Sequence, residues 1–206
     1  MQKFRHNLKI CKSLDYLRQF DSRVAYNKEG KRPYVGVAIQ IGNVKYYAPF
    51  TSPKPKHLEM KETKDFMKLE NGVYGAIKFN NLIPVPDCQL IRIRIEEIRD
   101  AKYRYLLNRQ FNIIRSKENE IIERAVTLRN LLLSDDSNLS WIDIKVKNRC
   151  CNLKLLESVY NNFRGQKKIC IIQTGKQPDA TSVSWYLCES SRLFLKEKGN
   201  SVRASR

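Results

Sequence analysis

Residues 46–57 read YYAPFTSPKPKH. Two hydroxyl side chains, Thr51 and Ser52, end an aromatic and apolar run. Lys54 and Lys56 come next, each directly behind a proline, and His57, one of two histidines in the chain, closes the stretch. Hydroxyl donors beside fixed cations suit the cleavage of an RNA phosphodiester. The substrate's own 2′-hydroxyl is the nucleophile there, in line with the departing 5′-oxygen. The protein has to supply orientation, hydrogen-bond donors and positive charge where the pentavalent phosphorus gathers negative charge. Thr51 and Ser52 can donate to a non-bridging oxygen. Pro53 and Pro55 restrict the backbone and push each preceding residue towards extended geometry, which aims Lys54 and Lys56 in advance. The plain alternative for the same residues is a solvated Ser-Pro-Lys-Pro-Lys turn. Ser52 does not read as a hydrolase nucleophile, because no G-x-S-x-G surrounds it and His6 and His57 are the only conventional bases.

The elements around this stretch have to position it. Residues 33–50, PYVGVAIQIGNVKYYAPF, predict a β-hairpin around Gly42-Asn43. Strands of equal length from that turn bring Arg32 to the same open end as Thr51 and Ser52, where a guanidinium can hold a phosphate through two hydrogen bonds. Lys28 and Lys31 flank it in the polar turn 27–31. A strand-entry surface arginine is the plain reading of Arg32. Residues 2–10 predict a first strand, and 13–24 a helix with Leu14, Leu17, Phe20 and Val24 on one face and Ser13 as N-cap. Residues 54–68 read as a long basic loop with one helical turn, and 73–86 as a strand closed by prolines. Strand-rich sequence up to about residue 90, broken by glycines, suggests a small, partly open barrel.

From Ile95 the apolar period changes to three and four. Helices are expected at about 95–100 and 101–133, the second broken or bent near 115–117, and another at about 152–162. Residues 166–206 fit a strand pair, a loose extension or non-native sequence alike. The domain reading is one unit over 1–165, with a β-core over about 1–90 and a helical part over about 95–162, followed by a C-terminal extension.

Lys and Arg number 39 against 21 Asp and Glu, a net charge of +18 spread along the whole chain. The folded body itself therefore carries the field and attracts polyanions: RNA, DNA or an anionic surface. No apolar run approaches the ~20 residues of a membrane span, and the N-terminus has no apolar signal core. Six cysteines show no C-x-x-C pair and no metal-ligand spacing, so reduced thiols in a cytoplasm are expected, with Cys150 and Cys151 a half-buried pair. There is no helix-turn-helix or RNP signature. Membrane-surface association through the basic helices is the weaker reading, because their charges surround an apolar core stripe and no bulky aromatic face is present.

Taken together, Arg32, Tyr34-Val35-Gly36, Ala48-Pro49-Phe50-Thr51-Ser52-Pro53-Lys54 and GAIKFNNLIPVP at 75–86 resemble the type III toxin–antitoxin endoribonucleases, the group of ToxN, AbiQ and CptN. The resemblance covers about residues 2–160, including YLRQFDSRV at 16–24 and CNLKLLE at 151–157. It implies an α+β fold: a compact, strongly curled, mostly antiparallel β-barrel-like core of the Kid/MazF type, wrapped by helices. It also implies a cytoplasmic bacterial endoribonuclease that uses no metal or other cofactor and leaves 2′,3′-cyclic phosphate and 5′-hydroxyl ends. Its implied partners are cellular and phage RNA substrates and an antitoxin RNA, whose pseudoknotted repeats the toxin cuts from a precursor and binds in a closed protein–RNA hetero-oligomer. The implied setting is phage abortive infection. Carried over onto this chain, Ser52, Thr51 and Lys54 are the catalytic candidates. Arg32 stands where members often have lysine; it keeps the charge but not the proton-donor role, which leaves Lys54 or Lys56 as acid or base. Tyr26 is the candidate for the family's tyrosine ahead of that basic residue. Candidate RNA contacts are Tyr26, Lys28, Lys31, Lys56, His57, Lys64, Arg104, Arg109, Arg115 and Lys117. A non-catalytic basic RNA-binding module is the alternative.

Overall fold

The hairpin around Gly42-Asn43 forms the middle of the sheet. The computed structural model describes residues 4–11, 17–25, 34–86 and 89–161. Within it, β2 (Tyr34–Ile41) and β3 (Val44–Thr51) pair antiparallel from Gly36 opposite Pro49 to Ile41 opposite Val44. Gly42 turns the corner with φ +57°, a left-handed conformation that glycine adopts without steric cost. β1 (Phe4–Cys11) pairs with the other side of β2, and β7 (Leu90–Arg92) lies beyond β1. The outer flank of β3 is divided. β6 (Ile83–Pro84) takes Tyr46 and Tyr47, while β5 (Ala76–Lys78) takes Phe50 and Thr51. Pro49, which has no N–H for a ladder, falls between them. β4 (Phe66–Lys68) pairs with β5 and completes the order β4-β5-β3-β2-β1-β7, antiparallel throughout.

The sheet is open. The expected strongly curled, barrel-like core of the Kid/MazF type does not form among the described residues: β4 and β7 stand at opposite ends of the order and do not pair. Strands β4, β5 and β7 have three residues each and β6 has two, too short for the tilt and stagger of a closed barrel. Both faces are covered as well. Tyr46 and Ala48 join Val37 and Ile39 in the larger core, whereas Tyr47 points the other way and meets Ile83, Val85, Leu156 and Val159. Gly36 makes room for the Tyr47 ring, since a Cβ there would stand 2.6 Å from a ring carbon and 2.3 Å from the Ala48 carbonyl oxygen. The α+β class holds, with helices laid over an antiparallel sheet.

The helices expected over 101–133 and 152–162 lie close to where the periodicity put them, but 95–100 holds only a 3₁₀ turn, Ile95–Glu97, because the backbone is extended again at Ile98. After a single turn, α1 (Lys56–Glu59), come α2 (Ala101–Ser116) and α3 (Glu118–Leu133), interrupted at Lys117. Asp100 caps α2, accepting from the Lys102 and Tyr103 amides at 2.9 and 3.0 Å. Leu107, Ile113 and Ile114 continue into Ile121, Ala125, Leu128 and Leu132 as one buried stripe. α4 (Trp141–Arg149) was not anticipated; α5 covers 153–161. The helix expected over 13–24 is helical at 17–18 and then turns; Leu17 and Val24 are buried, but Phe20 is 42% exposed. Ser13, Leu14 and the extension 166–206 lie outside the described residues. The single strand expected over 73–86 is two short ones separated by a 3₁₀ turn, Phe79–Asn81. The predicted loop 54–68 holds α1 and also β4. Cys150 and Cys151 are fully buried, not half-buried, and burial pushes both thiols up to about 12. No helix among the described residues is long and apolar enough to cross a membrane.

One polar network crosses the layers. The Tyr46 hydroxyl donates to Glu157 Oε1 at 2.6 Å, and Arg129 Nε donates to both oxygens, at 2.6 and 3.0 Å. Arg129 Nη2 reaches Glu157 Oε2 at 3.0 Å. β3, α3 and α5 are thereby fixed to one another. Removing one charge leaves the other half-buried and unpaired, so Arg129→Met is expected to lower the unfolding free energy by about 3 kcal/mol. The measurement is the urea midpoint at an unchanged denaturant slope.

Candidate active site

β3 ends at Thr51, and Gly75 determines how closely β5 meets it. Gly75 has φ +89°, and a Cβ there would lie 2.1 Å from the Thr51 carbonyl oxygen. No side chain fits. Register sets the rest: Thr51 is opposite Ala76, Lys78 opposite Phe66, and Lys68 opposite Ala76. Side chains alternate along a strand, so Thr51, Lys78, Phe66 and Lys68 share one face, while Met67 and Ile77 enter the core on the other. On the first face opens a cleft of about 410 Å³, lined by Thr51, Lys54, Lys56, His57, Met60, Lys61, Thr63, Asp65, Phe66, Lys78, Asn80 and Arg149.

A carboxylate–guanidinium pair fastens one wall. Asp65 is buried and accepts from Arg149 through both of its oxygens, one at 2.7 Å from Nε, and from Thr63 Oγ1 at 2.9 Å. Its carbonyl accepts the Asn80 amide at 3.0 Å, and the Asn80 carbonyl accepts the Cys151 amide at 3.0 Å. Burial raises the Asp65 carboxyl, but the hydrogen bonds from Arg149 and Thr63 more than offset it, so its pKa ends below the ordinary value. The cations opposite are of another kind. Lys54 and Lys56 are exposed, whereas Lys78 is half-buried. Burial, then the charges of Lys54 and Lys56, lower the Lys78 pKa.

His57 does not stand out for a ligand as its place beside the lysines suggested. It is 2% exposed, its ring is tilted 55° to that of Phe66 at 5.8 Å, and its Nδ1 has no hydrogen-bond partner among the described residues. The turn Glu70-Asn71-Gly72, left-handed at all three residues, brings the chain against its backbone: a Cβ on Gly72 would lie 2.5 Å from the His57 carbonyl oxygen. Burial lowers the imidazole pKa, and Lys54, Lys56, Lys68 and Lys78 lower it further.

The structure gathers Thr51, Lys54, Lys56 and His57 at one cleft; Ser52, next in sequence to Thr51, is exposed and not among the lining residues, and its carbonyl accepts from the Thr51 hydroxyl at 3.3 Å. Arg32, Tyr26, Lys28 and Lys31 lie outside the described residues. Lys64, Arg104, Arg109, Arg115 and Lys117 are not among the lining residues. Four of these five are engaged elsewhere. Lys64 pairs with Asp143 at 2.5 Å, Arg104 donates to the Ile98 carbonyl at 2.7 Å, and Lys117 is 3.6 Å from Glu120. Arg109 lies over the Tyr74 ring at 5.1 Å, with Glu70 at 3.8 Å. Arg115 is exposed on α2. Sequence reasoning missed Lys78, Asp65 and Arg149. A lysine inside the apolar strand AIKF was a legible signal for the first; nothing local marks the other two as a pair. Among the described residues, no three His, Cys, Asp or Glu side chains gather at metal-binding separation.

His57 gives the site a pH signature. Its folded pKa lies below the ordinary 6.5, so below pH 6.5 the unfolded chain takes up a proton that the folded chain refuses, and stability falls as the pH drops. Urea midpoints at pH 7.5 and pH 5 should therefore draw closer together in His57→Asn than in the unsubstituted protein. An equal gap in both would show that His57 does not contribute.

Comparison with known proteins places this geometry. The family model for the toxin ToxN of type III toxin–antitoxin systems matches residues 10–161. The endoribonuclease ToxN of Pectobacterium atrosepticum is 30% identical over 162 residues, 74% of this chain and 89% of that protein. Among solved structures, a type III toxin selectively inhibited by a non-coding RNA pseudoknot superposes with a TM-score of 0.64 at 24% identity, over 77% of this chain and 97% of that one. AbiQ, a lactococcal anti-phage endoribonuclease of the type III systems, gives 0.58 at 18% identity, over 80% and 99%. These two likenesses are of fold. With the family model spanning the sheet, the cleft and the helices above them, the chain belongs to the ToxN family, the toxins of type III toxin–antitoxin systems.

Proposed function

We propose that this protein is the toxin of a type III toxin–antitoxin pair and cuts RNA within the strand by attack of the substrate's own 2′-hydroxyl. The observation that carries the reading is that Thr51, the last residue of β3, lines one cleft with Lys54 and Lys56, with the exposed Ser52 next to it in sequence, in a chain 30% identical to an endoribonuclease. In the reaction the 2′-oxygen loses its proton and bonds to phosphorus, the bond from phosphorus to the 5′-oxygen breaks, and that oxygen leaves with a proton. The products are a 2′,3′-cyclic phosphate and a 5′-hydroxyl; protons and electrons balance with no co-reactant. Ser52 and Thr51 donate to the non-bridging oxygens, and Lys54 with Lys56 neutralises the charge that builds on them. Arg32, two positions before β2 in the sequence, is proposed to add a further cation. The nucleophile comes from the substrate, so the step needs no metal ion.

The partner that silences the toxin is proposed to be a small RNA. A net charge of +18 supplies the long-range attraction, and a fold relative is inhibited by an RNA pseudoknot. The toxin cuts pseudoknotted repeats from a longer precursor, holds them in a closed assembly and is released to attack cellular and phage RNA. Domain limits of 1–165 for the toxin unit, with 166–206 as an extension, go with this reading.

Two measurements test it. Purified protein should cut RNA in excess EDTA, leaving cyclic phosphate ends. Ser52→Ala should slow cutting by about 100-fold or more, the usual cost of one transition-state donor, while RNA binding stays within a few-fold. Dependence on magnesium, or full activity without the serine hydroxyl, would sink the mechanism. Salt-sensitive RNA binding with no product at all would instead favour the non-catalytic module.

A further inference from the structure

The cations around the cleft are not equivalent. Arg149 is bound to Asp65 through both carboxylate oxygens. Lys68, on the same face of the sheet as Thr51, donates to the Leu58 carbonyl at 2.8 Å. Lys54 and Lys56 are exposed and keep their hydration. Lys68 and Lys78 are both half-buried, but Lys78, unlike Lys68, has neither a carboxylate nor a carbonyl partner among the described residues. Asp65, the acid that also lines the cleft, is taken by Arg149 and Thr63. An ammonium drawn out of water with no partner is unfavourable, and two further lysines beside it make it worse. A phosphate oxygen entering the cleft would relieve both costs together.

Register gives the geometry. Thr51 and Lys78 project from the same face of the two paired strands, with Thr51 opposite Ala76 and Lys78 two residues further along β5. Phe66 stands opposite Lys78 and closes the apolar side. The close approach at Gly75 locks β5 to the Thr51 carbonyl, so the distance between the Thr51 hydroxyl and the Lys78 stem is fixed by backbone.

We propose that Lys78 is a catalytic residue of this cleft, its ammonium contacting a non-bridging oxygen of the scissile phosphate as negative charge builds there. This rests on the endoribonuclease reading of the same site. The charged and titratable groups around it are Lys54 and Lys56 from the segment after β3, His57 on α1, Lys61 and Asp65 between α1 and β4, Arg149 at the end of α4, and Cys151 just beyond it. Burial and the two flanking lysines lower its pKa below the ordinary 10.5, with Cys151 opposing weakly. Lys78 therefore loses its charge at a lower pH than a free lysine, and cutting should fall as the pH rises through that point.

The test is the pH profile of RNA cleavage by the full chain, corrected for uncatalysed hydrolysis, in the unsubstituted protein, Lys78→Met and Lys78→Arg. Lys78→Met should cut about 100-fold or more slowly, bind RNA within tenfold of the unsubstituted protein and show no alkaline fall from this group. Lys78→Arg keeps the charge at every accessible pH; it should recover part of the rate and carry it to higher pH. Lys78→Met cutting within fivefold of the unsubstituted protein, or an alkaline limb unmoved by Lys78→Arg, overturns the proposal. If Lys78→Met does not fold, judged by its thermal melt, the Lys78→Arg profile decides alone. An unsubstituted protein that cuts no RNA at any pH overturns the endoribonuclease reading itself, a result separate from cutting that ignores Lys78.

Discussion

The contact between Asp65 and Arg149 is what makes a cleft out of two halves of the chain. Asp65 closes the turn ahead of β4, on the edge of the sheet; Arg149 is the last residue of α4, in the helical half. Two parallel hydrogen bonds define orientation as well as distance, which an apolar contact at the same place would not. The wall is continued by backbone alone, from the Asp65 carbonyl through Asn80 to the Cys151 amide. A second buried carboxylate works alike nearby: Asp21 accepts the Asn152 amide and the Arg23 guanidinium, holding the start of α5 to the segment after β1. Both acids sit below the ordinary carboxyl pKa because their hydrogen bonds outweigh burial. Such pairs add little net stability over apolar packing, but they admit only one arrangement.

With that wall fixed, the other side can hold charges that repel. Lys54, Lys56 and Lys78 converge with no acid left to neutralise them among the described residues, and burial, then the charges of these lysines, lower the pKa of the His57 imidazole that lines the same cleft. The fold meets this cost in covalent geometry. Pro53 and Pro55 restrict the lysine-bearing segment, and the left-handed turn at Glu70, Asn71 and Gly72 presses against the carbonyl of His57. Two non-glycine residues in that conformation cost of order 1 kcal/mol each, a strain placed directly behind the cleft. An uncompensated cation cluster on a rigid frame has its electrostatics organised before any phosphate arrives.

What could be read from the sequence was local. The hairpin around Gly42-Asn43 and the buried stripe broken at Lys117 depend on neighbours within a turn or two, and each is where its residues require. Barrel closure depends on whether distant strand ends can meet, and three-residue strands carry no sequence mark of that failure. α4 went unseen because Ile142, Ile144 and Val146 alternate at the period of a strand. Ser140, which accepts the Asp143 amide at 3.2 Å, was the signal that a helix starts there. Thr51, Lys54 and Lys56 were legible as candidates through their proline setting. Proximity in sequence to exposed lysines says nothing about which way a helical turn faces: α1 turns His57 inward, so it lines the cleft as a buried side chain.

The feature that ruled out a barrel also builds the site. A β3 paired along one continuous partner would carry its ladder straight through Thr51 and leave a flat surface. Instead β6 serves Tyr46 and Tyr47, β5 serves Phe50 and Thr51, and Pro49 stands in the gap with no amide to satisfy. Because the second partner is short and follows directly on Gly75, it can approach the end of β3 closely, and its next outward side chain, Lys78, lines the same cleft as Thr51. The short, divided edge is thus the condition for bringing hydroxyl and cation together at a surface a polynucleotide can reach.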